Sequence, residues 1–278
     1  LKGNEMRIAI IDTLGLCYDG STLSKRGLGG SESAVIMMSK ELVKLGFSVT
    51  VFNDCINDDA RPGVYDGVTF KYLKEVETDY NFDIAIASRS VGPFAPKELV
   101  PQFKWSDRYP DFDRIMKNTR YHVLWMHDTF CDGDQYIEDF LLRGYIHKVF
   151  TLSDFHTIYF STCDHSRKRM FEVDKRFIFQ TRNGINPVYN RWVDVRDKDP
   201  DLFVYNSSLT KGMMPLVDMI WPRVKKNIPT AKLKIVGGFY RFRPDHGPDE
   251  QEKKFYELKA YGESLNIDIE FTGIIKQD

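Results

Sequence analysis

The stretch from Arg7 to Leu45 constrains the fold more than any other part of this chain. It runs RIAIID (Arg7 to Asp12), then a glycine-rich loop at Gly27 to Gly30, then a segment from Ser31 to Leu45 in which Ala34, Met38, Leu42 and Leu45 recur at three- and four-residue steps. A short unbroken apolar run reads as a strand buried on both faces. The three-four spacing reads as an amphipathic helix that stops at Gly46. Strand, loop and helix in that order start a parallel sheet with helical crossovers.

The same alternation continues. Buried-strand candidates follow at Ser48 to Asn53, Asp83 to Ala87, Tyr121 to Met126, Lys148 to Leu152 and Arg176 to Phe179, each bounded by polar or glycine-containing turns. A polar stretch, Asn190 to Asp201 (NRWVDVRDKDPD), interrupts the pattern, which restarts with a strand at Leu202 to Tyr205 and a helix near Pro215 to Lys226. A strand at Lys232 to Val236, a charged helix from Asp249 to Leu265 and a strand at Ile267 to Thr272 complete it. The expected organisation is an α/β protein: a Rossmann-like domain over 1–189, a linker over 190–200 and a partial Rossmann-like domain over 201–278. Three strands make half a Rossmann sheet, so either the second domain is unusually small or the natural chain continues past Asp278, and the open edge of a half-sheet favours the second.

Composition removes several function classes. With 278 residues there is room for two cores, and a net charge of −1 gives no basic field for nucleic acid. No apolar run approaches the ~18 residues of a membrane span. Cys17, Cys55, Cys131 and Cys163 lie far apart without CxxC spacing, and the first residues carry no charged-then-apolar signal. A cytoplasmic setting with reduced thiols follows, with peripheral membrane contact left open. His156, Cys163 and His165 lack a second ligand pair at a zinc-site spacing, so no metal is expected there.

Four segments can carry chemistry. In Lys25-Arg26-Gly27-Leu28-Gly29-Gly30-Ser31-Glu32, a helix N-terminus with free backbone N–H groups favours a bound anion, although such glycines also serve a turn that needs positive φ. The loop lacks the third glycine of GxGxxG and the Lys-Ser/Thr of a Walker loop, which argues against nicotinamide binding. Trp125-Met126-His127-Asp128 puts a histidine and a carboxylate at the carboxyl edge of the sheet, where open α/β folds bind ligands. His127 could bond a sugar hydroxyl or move a proton, with Asp128 orienting it or binding hydroxyls itself. Asp132-Gly133-Asp134 has the form of a metal-diphosphate motif, but its place after a loop favours helix capping. Ser207-Ser208-Leu209-Thr210-Lys211-Gly212 brings a lysine to a helix start, a combination suited to a diphosphate.

Taken in order, these motifs resemble the group 1, or family 4, glycosyltransferases of GT-B fold. The likeness rests on Gly29-Gly30-Ser31-Glu32, on Leu45-Gly46-Phe47 leading into a strand, on His127 after an apolar strand, and on Ser153 before a helix. It extends through Asn183-Gly184-Ile185-Asn186, Lys211-Gly212, the run Pro229 to Gly238 and Phe271-Thr272-Gly273. The resemblance implies two facing Rossmann-like domains and transfer of a sugar from a UDP- or GDP-linked donor to a glycan, lipid or protein hydroxyl. It further implies retention of configuration and no required metal or other cofactor. By the same likeness Gly29 and Gly30, with Ser31 next in the loop, lie against donor phosphates or acceptor, and His127, with Asp128 beside it in sequence, lies against the donor sugar. Lys211 neutralises the leaving diphosphate, and Asn183, Ser207, Ser208, Gly238, Gly273 and Ile274 border the donor. The sequence departs from that pattern where relatives carry a second phosphate-clamping arginine, since Tyr205-Asn206-Ser207-Ser208 contains none. A binding module without catalysis, and an epimerase or phosphorylase on the same plan, remain open alternatives.

Overall fold

The computed structural model describes residues 5–15, 17–55, 60–103, 109–129, 131–162, 172–184, 194–207, 209–236 and 250–273. The chain divides into two compact units: Leu1–Thr22 with Leu28–Asn186, and Leu23–Gly27 with Pro187–Asp278.

The first unit is built on β1 (Arg7–Ile11), α1 (Thr22–Lys25, which runs into the second unit's segment), α2 (Gly30–Lys44), β2 (Ser48–Asn53), β3 (Gly63–Tyr65), β4 (Val68–Tyr72) and β5 (Ile84–Ser88). It continues with α3 (Asp113–Asn118), β6 (Tyr121–Trp125), α4 (Ile137–Leu142), β7 (Lys148–Thr151), α5 (Asp154–Ser161) and β8 (Ile178–Gln180). Its eight strands lie in the order β3-β4-β2-β1-β5-β6-β7-β8, parallel except for the β3–β4 hairpin. The chain order reverses at the β1–β5 pair, which is the switch point of a doubly wound sheet. β1, β2 and β5 are buried almost end to end, as strands covered on both faces must be. Phe52, Phe94, Leu124, Phe140 and Phe160 anchor the core. Each contributes on the order of 1.5–3 kcal/mol through removal of apolar surface from water.

Helix α2 corrects one expectation. Its buried stripe is Glu32, Val35, Ile36 and Ser39, while Leu45 is 73% exposed. The three-four spacing is intact but turned to a different set, because two polar members of the stripe have partners: Ser39 donates to the Val35 carbonyl at 2.7 Å and Glu32 accepts from Arg89. The β3–β4 hairpin was not among the expected strands. Asp66 and Gly67 form its tip, both with positive φ (49° and 81°), a conformation that Asp-Gly tolerates.

The second unit holds β9 (Leu202–Asn206), α6 (Met213–Pro215), a π-helical turn at Leu216–Ile220, α7 (Trp221–Asn227), β10 (Lys232–Val236), α8 (Glu250–Ser264) and β11 (Ile269–Gly273). Its three strands run parallel in the order β11-β10-β9. Met213, Val217, Trp221, Leu233, Ile235 and Phe255 form a separate core. Trp221 is 1% exposed and its Nε1 donates to the Ile267 carbonyl at 2.7 Å. Trp221→Ala is expected to cost about 3–5 kcal/mol by leaving a cavity and an orphaned carbonyl. Denaturant unfolding should show that loss in this unit's transition; a change under about 1 kcal/mol would mean that Trp221 is not the keystone of this core.

Candidate functional site

In the first unit the carboxyl ends of the parallel strands converge on a buried polar cluster. Asp12 follows β1, Arg89 follows β5 and His127 lies two residues after β6, while Glu32 comes from the first turn of α2. Arg89 Nη2 lies 3.1 Å from Glu32 Oε1 and 3.5 Å from Asp12 Oδ1. Tyr18 donates its hydroxyl to Asp12 Oδ2 at 2.9 Å. Asp12 is 1% exposed and Glu32 4%, so the cluster mixes charges away from bulk water.

The backbone at Arg89 is unusual. Its φ is +61°, a left-handed conformation that costs a non-glycine residue about 1–3 kcal/mol. Two main-chain bonds impose it: the Arg89 amide donates to the Trp125 carbonyl at 3.1 Å, and the Arg89 carbonyl accepts from the Asp132 amide at 2.9 Å. This bend turns the guanidinium toward α2.

Charges shift accordingly. Burial raises the Asp12 carboxyl above its ordinary value, opposed by the Arg89 charge. Burial opposes the Arg89 charge too, but Asp12 and Glu32 outweigh it and hold the guanidinium above its ordinary value. His127 is pulled down to about 3, first by burial and then by Arg89. Its ring lies 4.3 Å from that of Trp125. The sequence suggested a histidine titrating near neutrality; the structure replaces that with a neutral imidazole that exchanges hydrogen bonds instead of protons.

Asp128 does not orient His127. Its main-chain carbonyl accepts from His156 Nε2 at 2.8 Å, and its carboxylate is exposed. His156, in the first turn of α5, also accepts from the Leu152 amide through Nδ1, so both its ring nitrogens are satisfied; Cys163 and His165 lie outside the described residues. Several buried polar atoms lack a partner at this edge: Asn53 Oδ1, Ser88 Oγ, Arg89 Nε, Trp125 Nε1 and His127 Nε2. Such orphans call for an explanation, and a hydroxyl-bearing ligand supplies one.

The glycine loop is not a positive-φ turn. Gly29 has φ −62°, and Gly27 and Gly30 are absent from the left-handed set. Gly29 is small for another reason: a Cβ there would stand 2.2 Å from Glu32 Oε2. Ser31 Oγ lies 3.3 Å from that same oxygen. Glu32 therefore folds back over the head of its own helix. Asp132 and Asp134 do not cap with their side chains. Asp132 is buried and accepts from the Tyr109 hydroxyl at 2.6 Å, while Asp134 opens a 3-10 turn after Gly133. Among the described residues no group of three or more His, Cys, Asp or Glu could hold a metal ion.

In the second unit Asn206, Val236 and Gly273 end the three strands in register. Ser207 follows β9, and Lys211, exposed, closes a 3-10 turn just before Gly212 (φ 99°) and the α6–α7 helix. Ser207, Lys211 and Gly273 thus share the carboxyl side of this sheet, where the lysine is free to meet an anion. Asn183 is exposed beyond β8 in the first unit. Ser208, Gly238 and Ile274 lie outside the described residues.

No family model and no curated protein matches the sequence. Solved structures do. A sucrose-phosphate synthase from Thermosynechococcus elongatus matches 98% of this chain and 71% of its own at 14% identity, with a TM-score of 0.56. A glycosyltransferase from Rickettsia africae matches 98% of this chain and 69% of its own at 16% identity, with a TM-score of 0.52. The fold is GT-B. Of the residues singled out in the sequence, the GT-B framework brings His127 and the Gly29–Ser31 loop to one sheet edge, and Ser207, Lys211 and Gly273 to another. Asp12 and Arg89 escaped the sequence reading, because no motif marks residues that meet across 77 positions.

The imidazole of His127 should not titrate between pH 5 and 8 by NMR. Because its folded pKa of about 3 lies below the unfolded value near 6.5, the unfolded state binds the proton first. Its contribution to stability is then complete above about pH 6.5 and is lost as pH falls toward 3, a slope that His127→Gln should reduce. An ordinary titration of this ring would contradict the buried site.

Proposed function

We propose that this protein is a glycosyltransferase that moves a sugar from a nucleotide-sugar donor to an acceptor hydroxyl. The observation that carries the reading is a GT-B fold whose two sheets each present ligand-directed groups at their carboxyl edge. The second unit takes the donor, with Lys211 and the backbone donors around Ser207 and Gly212 meeting the diphosphate, Ser207 or Ser208 donating in place of the missing arginine, and Gly238, Gly273 and Ile274 bordering the nucleoside. The first unit takes the acceptor, with His127 as a neutral group that bonds a hydroxyl of the donor sugar.

Catalysis on this reading is electrostatic. As the glycosidic bond to the phosphate breaks, negative charge grows on the leaving diphosphate, and a preorganised ammonium with oriented N–H groups stabilises it without reorganising. A histidine with a pKa near 3 is a poor proton carrier at neutral pH, so the acceptor's proton leaves to another base, for which the departing phosphate oxygen is the nearest chemical choice. Retention of configuration fits that same-face route. We take the donor to be UDP- or GDP-linked, the metal to be dispensable and the setting to be cytoplasmic; no described helix is long and apolar enough to cross a membrane.

A binding module without turnover is the second reading, favoured by the absence of an arginine in Tyr205-Asn206-Ser207-Ser208. Transfer and donor hydrolysis assayed with UDP-, GDP- and ADP-sugars separate the two. Turnover of one donor supports the enzyme, whereas binding with no turnover leaves the module. Lys211→Ala should weaken nucleoside diphosphate binding about tenfold or more, the size of one charge-assisted contact, and leave the unfolding midpoint near wild type because the side chain is exposed. Equal nucleotide affinity in calorimetric titrations of both proteins would remove Lys211 from the site.

A further inference from the structure

We propose that His156 is a positioning residue whose ring ties the loop carrying His127 to the turn between β7 and α5, and so holds His127 in place for the donor sugar. The sugar at His127 rests on the transferase reading; the tie itself does not.

His127 stands where the sheet stops supporting the chain. The Met126 amide still donates to the Phe150 carbonyl at 3.0 Å. Among the described residues, His127, Asp128 and Thr129 make no bond between main-chain groups. A loop with so few bonds opens at little free-energy cost unless a side chain secures it. His156 Nε2 does so, lying 2.8 Å from the Asp128 carbonyl. A histidine serving only its own turn needs the Leu152 amide alone; this second bond spans 28 positions to the residue beside His127.

The chemistry of the ring follows from its other nitrogen. Nδ1 lies 3.2 Å from the Leu152 amide, which can only donate, so Nδ1 is the unprotonated nitrogen. A neutral imidazole then carries its proton on Nε2, the atom that meets the Asp128 carbonyl. Leu152 sets the tautomer and Asp128 uses it. The ring has little freedom of its own. The His156 amide donates to the Ser153 hydroxyl at 3.1 Å, Thr151 and Thr157 share a hydroxyl bond at 2.7 Å that joins α5 to β7, and the ring lies 5.0 Å from that of Phe160.

Protonation would undo half of this arrangement, because a proton on Nδ1 faces the Leu152 N–H donor to donor. The titratable groups around the ring are Asp128 and His127 on the loop and, on its own helix, the exposed Asp154. Burial lowers the pKa of His156, opposed by the Asp128 carbonyl and then by the Asp128 charge. With the folded value below the usual one near 6.5, both bonds are intact above about pH 6.5, and the Leu152 bond is lost as pH falls through the lowered value.

The test uses the full chain labelled with carbon-13 and nitrogen-15 and reads the Asp128 carbonyl carbon, the Leu152 amide and the His127 ring. His156→Gln keeps a donor at the place of Nε2 and cannot titrate, so its Asp128 and His127 signals should stay near wild type. His156→Asn keeps an acceptor near Nδ1 but does not reach Asp128, and should shift both signals together. His156→Phe removes both bonds, keeps a ring against Phe160, and should do the same; the two polar variants stand if it fails to fold. The wild-type Leu152 amide should show a step as pH falls below about 6.5, and His156→Gln should lack it. With a donor that wild type turns over, His156→Asn should lower kcat about tenfold or more and His156→Gln clearly less. Unchanged His127 signals or wild-type kcat in folded His156→Asn overturn the proposal, and so does a His156→Gln variant no better than His156→Asn. The spectra need no donor, so a wild type without turnover would strike the transferase reading and leave the tie to be judged by the spectra.

Discussion

The contact between Arg89 and Glu32 sets the geometry of the first unit's carboxyl edge. It joins β5 to the head of α2 across the switch point, in surroundings where neither charge is well solvated. Such a pair is weak evidence of stability, since desolvation offsets most of its attraction, but removing one partner strands the other at a cost of about 3–5 kcal/mol. The left-handed backbone at Arg89 adds strain on top. A residue that is strained, partly buried and charged persists only where the surrounding bonds over-determine it, and here the Trp125 carbonyl and the Asp132 amide do so.

From that pair the neighbouring properties follow. Arg89 offsets part of the burial penalty on Asp12, and the same positive charge lowers the basicity of His127. A side chain at Gly29 would have to displace the Glu32 carboxylate that answers Arg89, because that carboxylate leans across the loop. Tyr109, fixed between Ser90 and Asp132, braces the other side of the bend, and a Cβ at Gly92 would strike its ring at 2.2 Å. One ion pair thus links loop composition, protonation and backbone strain.

Most of the framework was legible in sequence, since parallel strands buried on both faces announce themselves as unbroken apolar runs. Predicted strands such as Lys232 to Val236 stand where the pattern put them. Edges moved where a residue's role is set by a distant partner: the α2 stripe turned toward Glu32, a polar residue that periodicity discounts. The β3–β4 hairpin was missed although Asp66-Gly67 is a strong turn signal, because its flanking runs are only three and five residues long. His127 was found by its position after a strand, but its basicity was not, since burial and the Arg89 charge belong to the folded state alone. Asp12 and Arg89 carry no local signature at all.

The two carboxyl edges differ in a way that suits a division of labour. In the second unit Lys211 is exposed on a short turn, so it can meet a diphosphate without paired carboxylates having to be displaced. At the first unit's carboxyl edge Arg89 is paired with Asp12 and Glu32, and Ser88 Oγ, Trp125 Nε1 and His127 Nε2 are neutral polar atoms left without a partner. A charged leaving group and an uncharged nucleophile place opposite electrostatic demands on a protein. On the transferase reading, Lys211 serves the charged leaving group and the neutral groups of the first unit serve hydroxyls.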